Sequence, residues 1–246
     1  MSGKAAIVDW PIRINSFEVD LNSNIKTVSL QNLLQEVAYK GSDFCKCGPD
    51  VMRSRGLFWA LNRIHLNILR CPRWGDDLIL QTWSRGQVGP LWHRNFRMVR
   101  ESAPDVPIVL GTSAWTVVDA GERSLFRGEL GFDASFHYSE DTLPFCSKLI
   151  IPRDLPRTEA GTHKVVWSDI DTNGHANNCA YTQWVLDLIP VDYVKSHLVK
   201  DVQVNYQREV HYGEEVAFEL AQEGDVWYVT GKAGDLVCFI ERIEFA

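Results

Sequence analysis

Long apolar runs are missing from this sequence. Among its 246 residues no stretch approaches the roughly 20 that a membrane-spanning helix needs. The opening segment, Met1 to Trp10, holds neither a long apolar core nor a small-residue cleavage site. The expectation is a cytoplasmic chain with no membrane insertion, or a mature form whose transit segment has been removed. Cysteine is sparse and poorly spaced for a metal. Of Cys45, Cys47, Cys71, Cys146, Cys179 and Cys238, only the first two lie close together, one residue apart, with no Cys/His pair nearby. That spacing speaks against zinc, and a chain this long has no need of disulfide staples, so free buried or half-buried thiols are expected. Basic charge is also in short supply. The 25 Lys and Arg are outnumbered by 32 Asp and Glu, for a net charge of −7, which argues against nucleic acid as the main partner.

What is present is the composition of a soluble globular protein, 45% hydrophobic and 23% charged. The length allows one large domain or two ordinary ones. The charge is unevenly divided, +3 over residues 1–130 and −10 over 131–246.

The order of predicted elements points to two domains. A strand-like run, Pro11–Val19, precedes Asp20-Leu-Asn22-Ser-Asn24. Val28, Leu30, Leu33, Leu34 and Val37 then fall at helical spacing and predict an amphipathic helix to about Tyr39. Four β-rich runs follow at 57–69, 77–85, 91–99 and 108–118, with turn residues at 75–76, 86–90 and 102–107. Residues 131–161 change character: Pro144, Pro152, Pro156 and Gly161 suggest a linker laid along a surface. After it the order repeats, with a strand at 162–167, a polar run, a helix, and strands near 198–206, 215–221, 226–231 and 236–245.

The repeat is visible in residues too. Ile64–Asp76 aligns without a gap on Val202–Glu214, so that Asn67, Arg70 and Gly75 coincide with Asn205, Arg208 and Gly213. Matching order and matching residues indicate two copies of one helix-plus-sheet unit. The expected division is 1–130, a linker at 131–161, and 162–246.

The polar run of the second copy carries the chemistry. Asp171, Asn173 and His175 stand on alternate positions around Gly174, and Ala180, Trp184, Val185 and Leu188 continue at helical spacing. Such a run offers side chains that move protons beside free N–H groups at a helix start. Taken singly, His175 reads as a helix cap, and Glu209 as a strand carboxylate paired with Arg208 or His211. His65, His93, His163, His197 and His211 join no constellation.

Together, Asp171-Thr-Asn173-Gly-His175 and the following Asn177-Asn178, Tyr181 and Trp184-Val185-Leu186 resemble the active-site motif of the acyl-acyl-carrier-protein thioesterases. Trp59-Ala-Leu-Asn-Arg63-Ile-His65-Leu-Asn67 and Pro72-Arg-Trp74-Gly-Asp76 with Gln81-Thr82-Trp83 resemble first-domain strands of the plant members, and the short chain fits the bacterial branch. The resemblance implies an α+β tandem double hot-dog fold, each unit a curved antiparallel sheet wrapped around a long helix.

It also implies hydrolysis of a fatty acyl thioester without metal or cofactor. The partner would be acyl carrier protein with its phosphopantetheine-linked chain, and the enzyme a monomer or homodimer. The catalytic set would be Asp171, Asn173, His175 and Glu209, with Glu209 the first choice of base, His175 in proton transfer, Asn173 on water or carbonyl, and Asp171 fixing the geometry. Backbone N–H groups after His175 would receive the oxyanion. In copy one, Asn24 replaces the imidazole and Cys71 the second carboxylate, so one site per chain is expected.

Where plant members carry a cysteine after the acidic residue, this chain has Val210, so that thiol cannot serve as nucleophile. Cys179, between packing neighbours, reads as core. By analogy, Leu33, Leu34, Val37, Phe58 and Trp59 would line an acyl tunnel in copy one. Arg94, Arg97 and Arg100 read as a solvated face, or as a docking patch for acidic carrier or phosphate. An acyl-CoA thioesterase of the same fold is the near alternative. A non-catalytic acyl-binding hot-dog protein is a farther one, and a hydratase or dehydratase a weaker third.

Overall fold

The computed structural model describes residues 6–133, 136–138 and 143–246. The first five residues of the N-terminal arm, and residues 134–135 and 139–142 of the expected linker, lie outside the described residues. The chain divides into two compact units, Met1–Ile25 with Ser29–Ser147, and Lys148–Ala246 with Lys26–Val28.

The first unit contains β1 (Val8–Arg13), α1 (Thr27–Phe44), α2 (Pro49–Ser54), β2 (Leu57–Ile68), β3 (Asp77–Val88), β4 (Leu91–Arg100), β5 (Ala103–Asp119) and the two-residue β6 (Ser124–Leu125). Its strands pair antiparallel in the order β1-β3-β4-β5-β2, with β6 folded back on β5. The second contains β7 (Thr158–Lys164), α3 (Asn178–Leu188), α4 (Val191–Ser196), β8 (Val199–Tyr206), β9 (Glu215–Glu223), β10 (Val226–Ala233) and β11 (Leu236–Phe245). Its order, β7-β9-β10-β11-β8, is the same order over again.

The duplication extends to individual backbone bonds. In the first unit Ile14 N–H donates to Asp76 O (3.0 Å), Gly75 N–H to Ile14 O (2.9 Å) and Ile25 N–H to Pro72 O (2.8 Å). In the second, Val165 donates to Glu214 (2.9 Å), Gly213 to Val165 (2.9 Å) and Ala176 to Val210 (2.8 Å). Gly75 and Gly213, the aligned glycines, share φ = +84°, a conformation that favours glycine. Each unit is a hot-dog, an antiparallel sheet against one principal helix.

The apolar stripe of α1 is its buried side: Leu30, Leu34, Val37 and Ala38 are all within 5% of complete burial. On α3, Cys179, Tyr181, Thr182, Trp184 and Val185 are buried. Tyr181 meets Trp184, Tyr206 and Phe239 in ring contacts of 4.9–5.7 Å. The helix ends at Ile189, because Pro190 forces its predecessor into extended geometry.

Several boundaries differ from expectation. The first strand is Val8–Arg13, and Ser16–Glu18 form a 3-10 turn, matched by Trp167–Asp169 in the second unit. Helix α1 runs on to Phe44. The turn expected at 102–107 is largely strand: Pro107 enters β5 opposite Val99, where the register slips and a missing N–H is tolerated. The linker's last four residues, 158–161, belong to β7, which ends at Lys164 and leaves Trp167 exposed. Before it, Leu149, Ile151 and Leu155 pack on Ala221, Tyr228, Val226 and Ile240. Asn205 holds this segment through both the N–H (3.2 Å) and the carbonyl (3.0 Å) of Leu149. Elements as short as α2, α4 and β6 carry too few residues for periodicity to show.

Candidate active site

The site loop of the second unit is a tight turn closed by its own backbone. Asp171 N–H donates to His175 O (3.0 Å) and Gly174 N–H to Asp171 O (3.1 Å), with Gly174 at φ = +82°. The Asp171 carboxylate accepts from Asn173 N–H (2.8 Å) and Asn173 Nδ2 (3.2 Å). Asp20 closes the same turn in the first unit, accepting from Asn22 N–H (2.8 Å) and Asn24 N–H (2.9 Å). The fold of the loop is therefore common to both copies, and only the side chains differ.

Those side chains bring three ionisable groups together. His175 Nδ1 lies 3.9 Å from Asp171 Oδ1, and Nε2 lies 3.7 Å from Glu209 Oε1. The imidazole and the Asp171 carboxyl are mostly shielded, with side-chain exposures of 16% and 13%, whereas Glu209 keeps 29%. Nδ1 is also 3.2 Å from Ala176 O, so a neutral His175 carries its proton there and turns the Nε2 lone pair toward Glu209. Asn173 remains exposed. In the first unit the equivalent positions hold Asn24 and Cys71, and burial pushes the Cys71 thiol up to about 11.

The neighbours expected to occupy Glu209 are engaged elsewhere. Arg208 Nη2 donates to Glu214 Oε1 (2.6 Å), and the His211 ring has Nδ1 3.4 Å from Gly174 O while its backbone N–H donates to Glu214 Oε2 (2.7 Å). Sequence reasoning also passed over Asp169. Its carboxylate receives Val166 N–H (2.8 Å) and Trp184 Nε1 (3.2 Å) and lies 2.9 Å from His163 Nε2, while the His163 and Trp184 rings stack at 4.5 Å. This ties the loop to β7 and α3 at once. Its sequence signal was only an acidic residue two before the motif.

Most N–H groups expected to receive an oxyanion are already spent. Ala176 and Asn177 donate to Val210 O and Asp169 O, Ala180 donates to Asn177 O, and the Asn177 side chain caps Cys179 N–H. Asn178 N–H, at the first position of α3, has no partner among the described residues. Cys179 is buried, and desolvation, with Glu241 and Asp171 nearby, pushes its thiol up to about 12, which leaves it protonated. Val210 is fully buried.

The first unit holds an open cavity with about 610 Å³ of free space, its solvent-filled mouth included. Trp59, Trp92, Trp115, Phe132 and Phe136 supply its aromatic walls. Of the five residues expected to line an acyl tunnel, Trp59 borders this cavity, donating Nε1–H to Cys47 O (2.9 Å). Leu34 and Val37 are core, Leu33 is half-buried, and Phe58 lies under Arg123, and none of these four borders the cavity. The reason lies along α1: its large apolar residues come early, and the small Ala38 and Ser42 later on the same stripe leave the space open.

The three arginines do not form a patch. Arg94 is buried at the cavity, Arg97 bonds Gln81 (2.7 Å) beside Trp83, and Arg100 grips Asp76 bidentately (3.0 and 3.1 Å). On a strand, residues three apart face opposite sides. No helix among the described residues is long and apolar enough to cross a membrane.

A double hot-dog whose second copy alone carries imidazole between two carboxylates has the build of a thioester hydrolase. The models of the acyl-ACP thioesterase N-terminal and C-terminal domains match residues 8–129 and 154–232, and the chain belongs to the acyl-ACP thioesterase family. It is 27% identical over 227 residues to the chloroplastic oleoyl-acyl carrier protein thioesterase of Coriandrum sativum, covering 82% of this chain and 59% of that one. This chain thus spans somewhat over half the length of the curated relatives it matches. Two solved structures share the fold. The acyl-ACP thioesterase of Bacteroides thetaiotaomicron has TM-score 0.88, 21% identity and full coverage of both chains. The 12:0-ACP thioesterase of Umbellularia californica has TM-score 0.79 and 21% identity, covering 98% of this chain and 97% of that one.

Proposed function

We propose that this chain hydrolyses fatty acyl-acyl-carrier-protein to free fatty acid and holo-carrier protein, in the cytoplasm, at one site per chain. The observation that carries the reading is His175 set between Asp171 and Glu209, where the first copy has Asn24 and Cys71. Glu209 takes a proton from a water lying between it and His175 Nε2, and that water adds to the thioester carbonyl. The oxyanion is received by Asn178 N–H, with the second Nδ2 hydrogen of Asn173 to assist. As the tetrahedral carbon collapses, the C–S bond breaks, and the proton taken by Glu209 passes by way of His175 to the departing thiolate. Asp171 holds the Asn173 amide and backs the imidazole while it carries charge. The first unit, with its aromatic cavity, accommodates the acyl chain.

The test is release of free fatty acid and thiol by the purified protein from a series of acyl-acyl-carrier-proteins, with matched acyl-CoAs alongside. Faster turnover on the carrier protein is expected. A preference for CoA would reassign the carrier and keep the residues, and tight acyl binding with no hydrolysis of either would refute the catalytic reading.

A further inference from the structure

The cavity of the first unit contains a cation that a hydrocarbon chain would leave unserved. Arg94, on β4, is 9% exposed and lies directly over α1 at Gly41. A Cβ at position 41 would fall 2.2 Å from Arg94 Nη1, so the helix admits the guanidinium only because it carries glycine there. Glycine inside a helix is unfavourable, which makes this a maintained arrangement and not slack packing. Nη1 donates to Thr82 Oγ1 at 3.2 Å, and the thiols of Cys45 and Cys47, weak acceptors, lie alongside. No carboxylate pairs with Arg94 among the described residues, and the lining carboxylate, Asp133, acts on His137. Among the described residues its acceptors are thus one hydroxyl oxygen and the Cys45 sulfur, and a buried guanidinium served so weakly is costly.

His93, next to Arg94 on β4, turns its ring to the opposite face of the sheet, where it is 5% exposed. Its ring lies 4.2 Å from that of Phe145. Burial, with Arg63 and Arg85 nearby, holds its pKa down, so the imidazole is neutral and can either donate or accept. Opposite these two residues the β3–β4 register slips between Ser84 and Gly86, and the extra residue of this bulge is Arg85, on β3. Ser84 Oγ is engaged with His137 Nδ1 at 2.9 Å, also at the cavity.

We propose that Arg94 makes this cavity selective for acyl chains that carry an oxygen function, a hydroxyl or an oxo group, over the plain saturated chain. The proposal rests on the reading that the cavity takes the acyl chain. The chain's oxygen accepts from the Arg94 guanidinium where it borders the cavity. The aromatic walls hold the methylenes on either side. A site built to bond an oxygen discriminates against the analogue lacking it, because the buried donors are then left unpaired.

The experiment uses binding alone, so it stands whether or not the protein hydrolyses anything. Amide-linked acyl-pantetheine analogues, which cannot be cleaved as thioesters, are titrated by fluorescence of Trp59, Trp92 and Trp115. The set is dodecanoyl, 3-hydroxydodecanoyl, 3-oxododecanoyl and 12-hydroxydodecanoyl, with free dodecanoate as a separate arm. At least one oxygenated chain is expected to bind the full-length protein about tenfold more tightly than dodecanoyl, a difference of about 1.4 kcal/mol. Arg94→Met is expected to reduce that advantage to about twofold while dodecanoyl binding holds or improves, the pattern expected when a desolvated donor is removed. Arg94→Lys supplies a second variant should Arg94→Met not fold, and is expected to keep part of the advantage of the oxygenated chain. Equal binding of plain and oxygenated chains would overturn the proposal and leave the acyl cavity standing. Tightest binding by free dodecanoate, lost in Arg94→Met, would overturn it in favour of a carboxylate site. No binding of any analogue would overturn the acyl-cavity reading itself.

Discussion

Arg208 Nη2 donates to Glu214 Oε1 at 2.6 Å, and this bond withholds the arginine from its neighbour in sequence, Glu209. Burial works against ionised Glu214, yet the His211 N–H and Arg208 hold its carboxyl below the usual range, so the pair stays ionised at neutral pH. Glu209 Oε1 lies 3.7 Å from His175 Nε2. Glu209→Gln is therefore expected to lower kcat by about 10²–10⁴-fold, the usual share of a general base. Glu214→Gln is expected to cost activity more mildly, by about tenfold, by releasing Arg208 toward Glu209. Steady-state hydrolysis of acyl-carrier-protein by the two variants checks this. Full activity in Glu209→Gln would remove Glu209 from the mechanism.

His175→Asn rewrites the second copy in the manner of the first. The turn depends on Asp171 N–H to the carbonyl of residue 175, and Asp20 N–H makes the same bond to Asn24 O at 2.8 Å. The variant is expected to fold with Tm within about 3 °C of the parent, a difference of roughly 1 kcal/mol for a chain of this size. Activity is expected to fall by about 10²–10⁴-fold. A large loss of Tm would mean that the imidazole is a structural support.

Much of this was readable beforehand, for identifiable reasons. Strands β2 to β5 and β8 to β11 announced themselves through β-branched and aromatic runs between turn residues. The loop around Asp171 was readable because the same turn occurs twice with different side chains, which separates what folds the loop from what acts in it. The cavity was not readable. Its walls come from α1, β2, β3, β4, β5 and the segment after β6, so that Cys45, Arg94 and Phe132 meet across long sequence separations. Arg94, Arg97 and Arg100 misled for a related reason: a count of charges does not say which strand face each one takes. The partner of Glu209 was likewise decided at Glu214, beyond a turn.

Val210→Cys restores the thiol that plant members of the family carry after the acidic residue. Val210 is fully buried, and its carbonyl receives Ala176 N–H. A sulfur at that position would face the core, away from water and the thioester. Activity is expected to stay within about twofold of the parent, an effect of roughly 0.4 kcal/mol on the barrier. The new cysteine is expected to resist iodoacetamide in the folded protein, as read by mass spectrometry. Faster turnover together with ready alkylation would reopen the question of a cysteine nucleophile.

Gly41→Ala adds one methyl group beneath Arg94. Helix propensity alone predicts a gain of about 1 kcal/mol for Gly to Ala. The new Cβ would sit 2.2 Å from Nη1 and 2.8 Å from Thr82 Cγ2, so the guanidinium must move. Overpacking of this kind costs about 1–3 kcal/mol, and a net loss of stability is expected in urea unfolding. A stabilised Gly41→Ala would show that Arg94 can leave its seat freely.

Glu241 gives the protein a pH dependence of its own. The residue is completely buried on β11, neither carboxyl oxygen has a well-formed hydrogen bond among the described residues, and Thr182 of α3 is a polar neighbour. Burial pushes its carboxyl up to about 8, with Thr182 easing the shift only in part. The folded state therefore keeps a proton that the unfolded chain releases near the ordinary value of 4.5. Because the native state binds the extra proton, this group's contribution to stability is fullest below pH 4.5 and falls as pH rises toward 8, then levels off. Glu241→Gln removes the titration without removing the polar group. Between pH 5 and 8 the parent is expected to lose at least about 1.4 kcal/mol relative to the variant, the worth of one pKa unit. Urea unfolding of both proteins at pH 5, 6, 7 and 8 measures the difference. Parallel curves across that range would mean that Glu241 ionises in the folded protein as readily as in the unfolded chain.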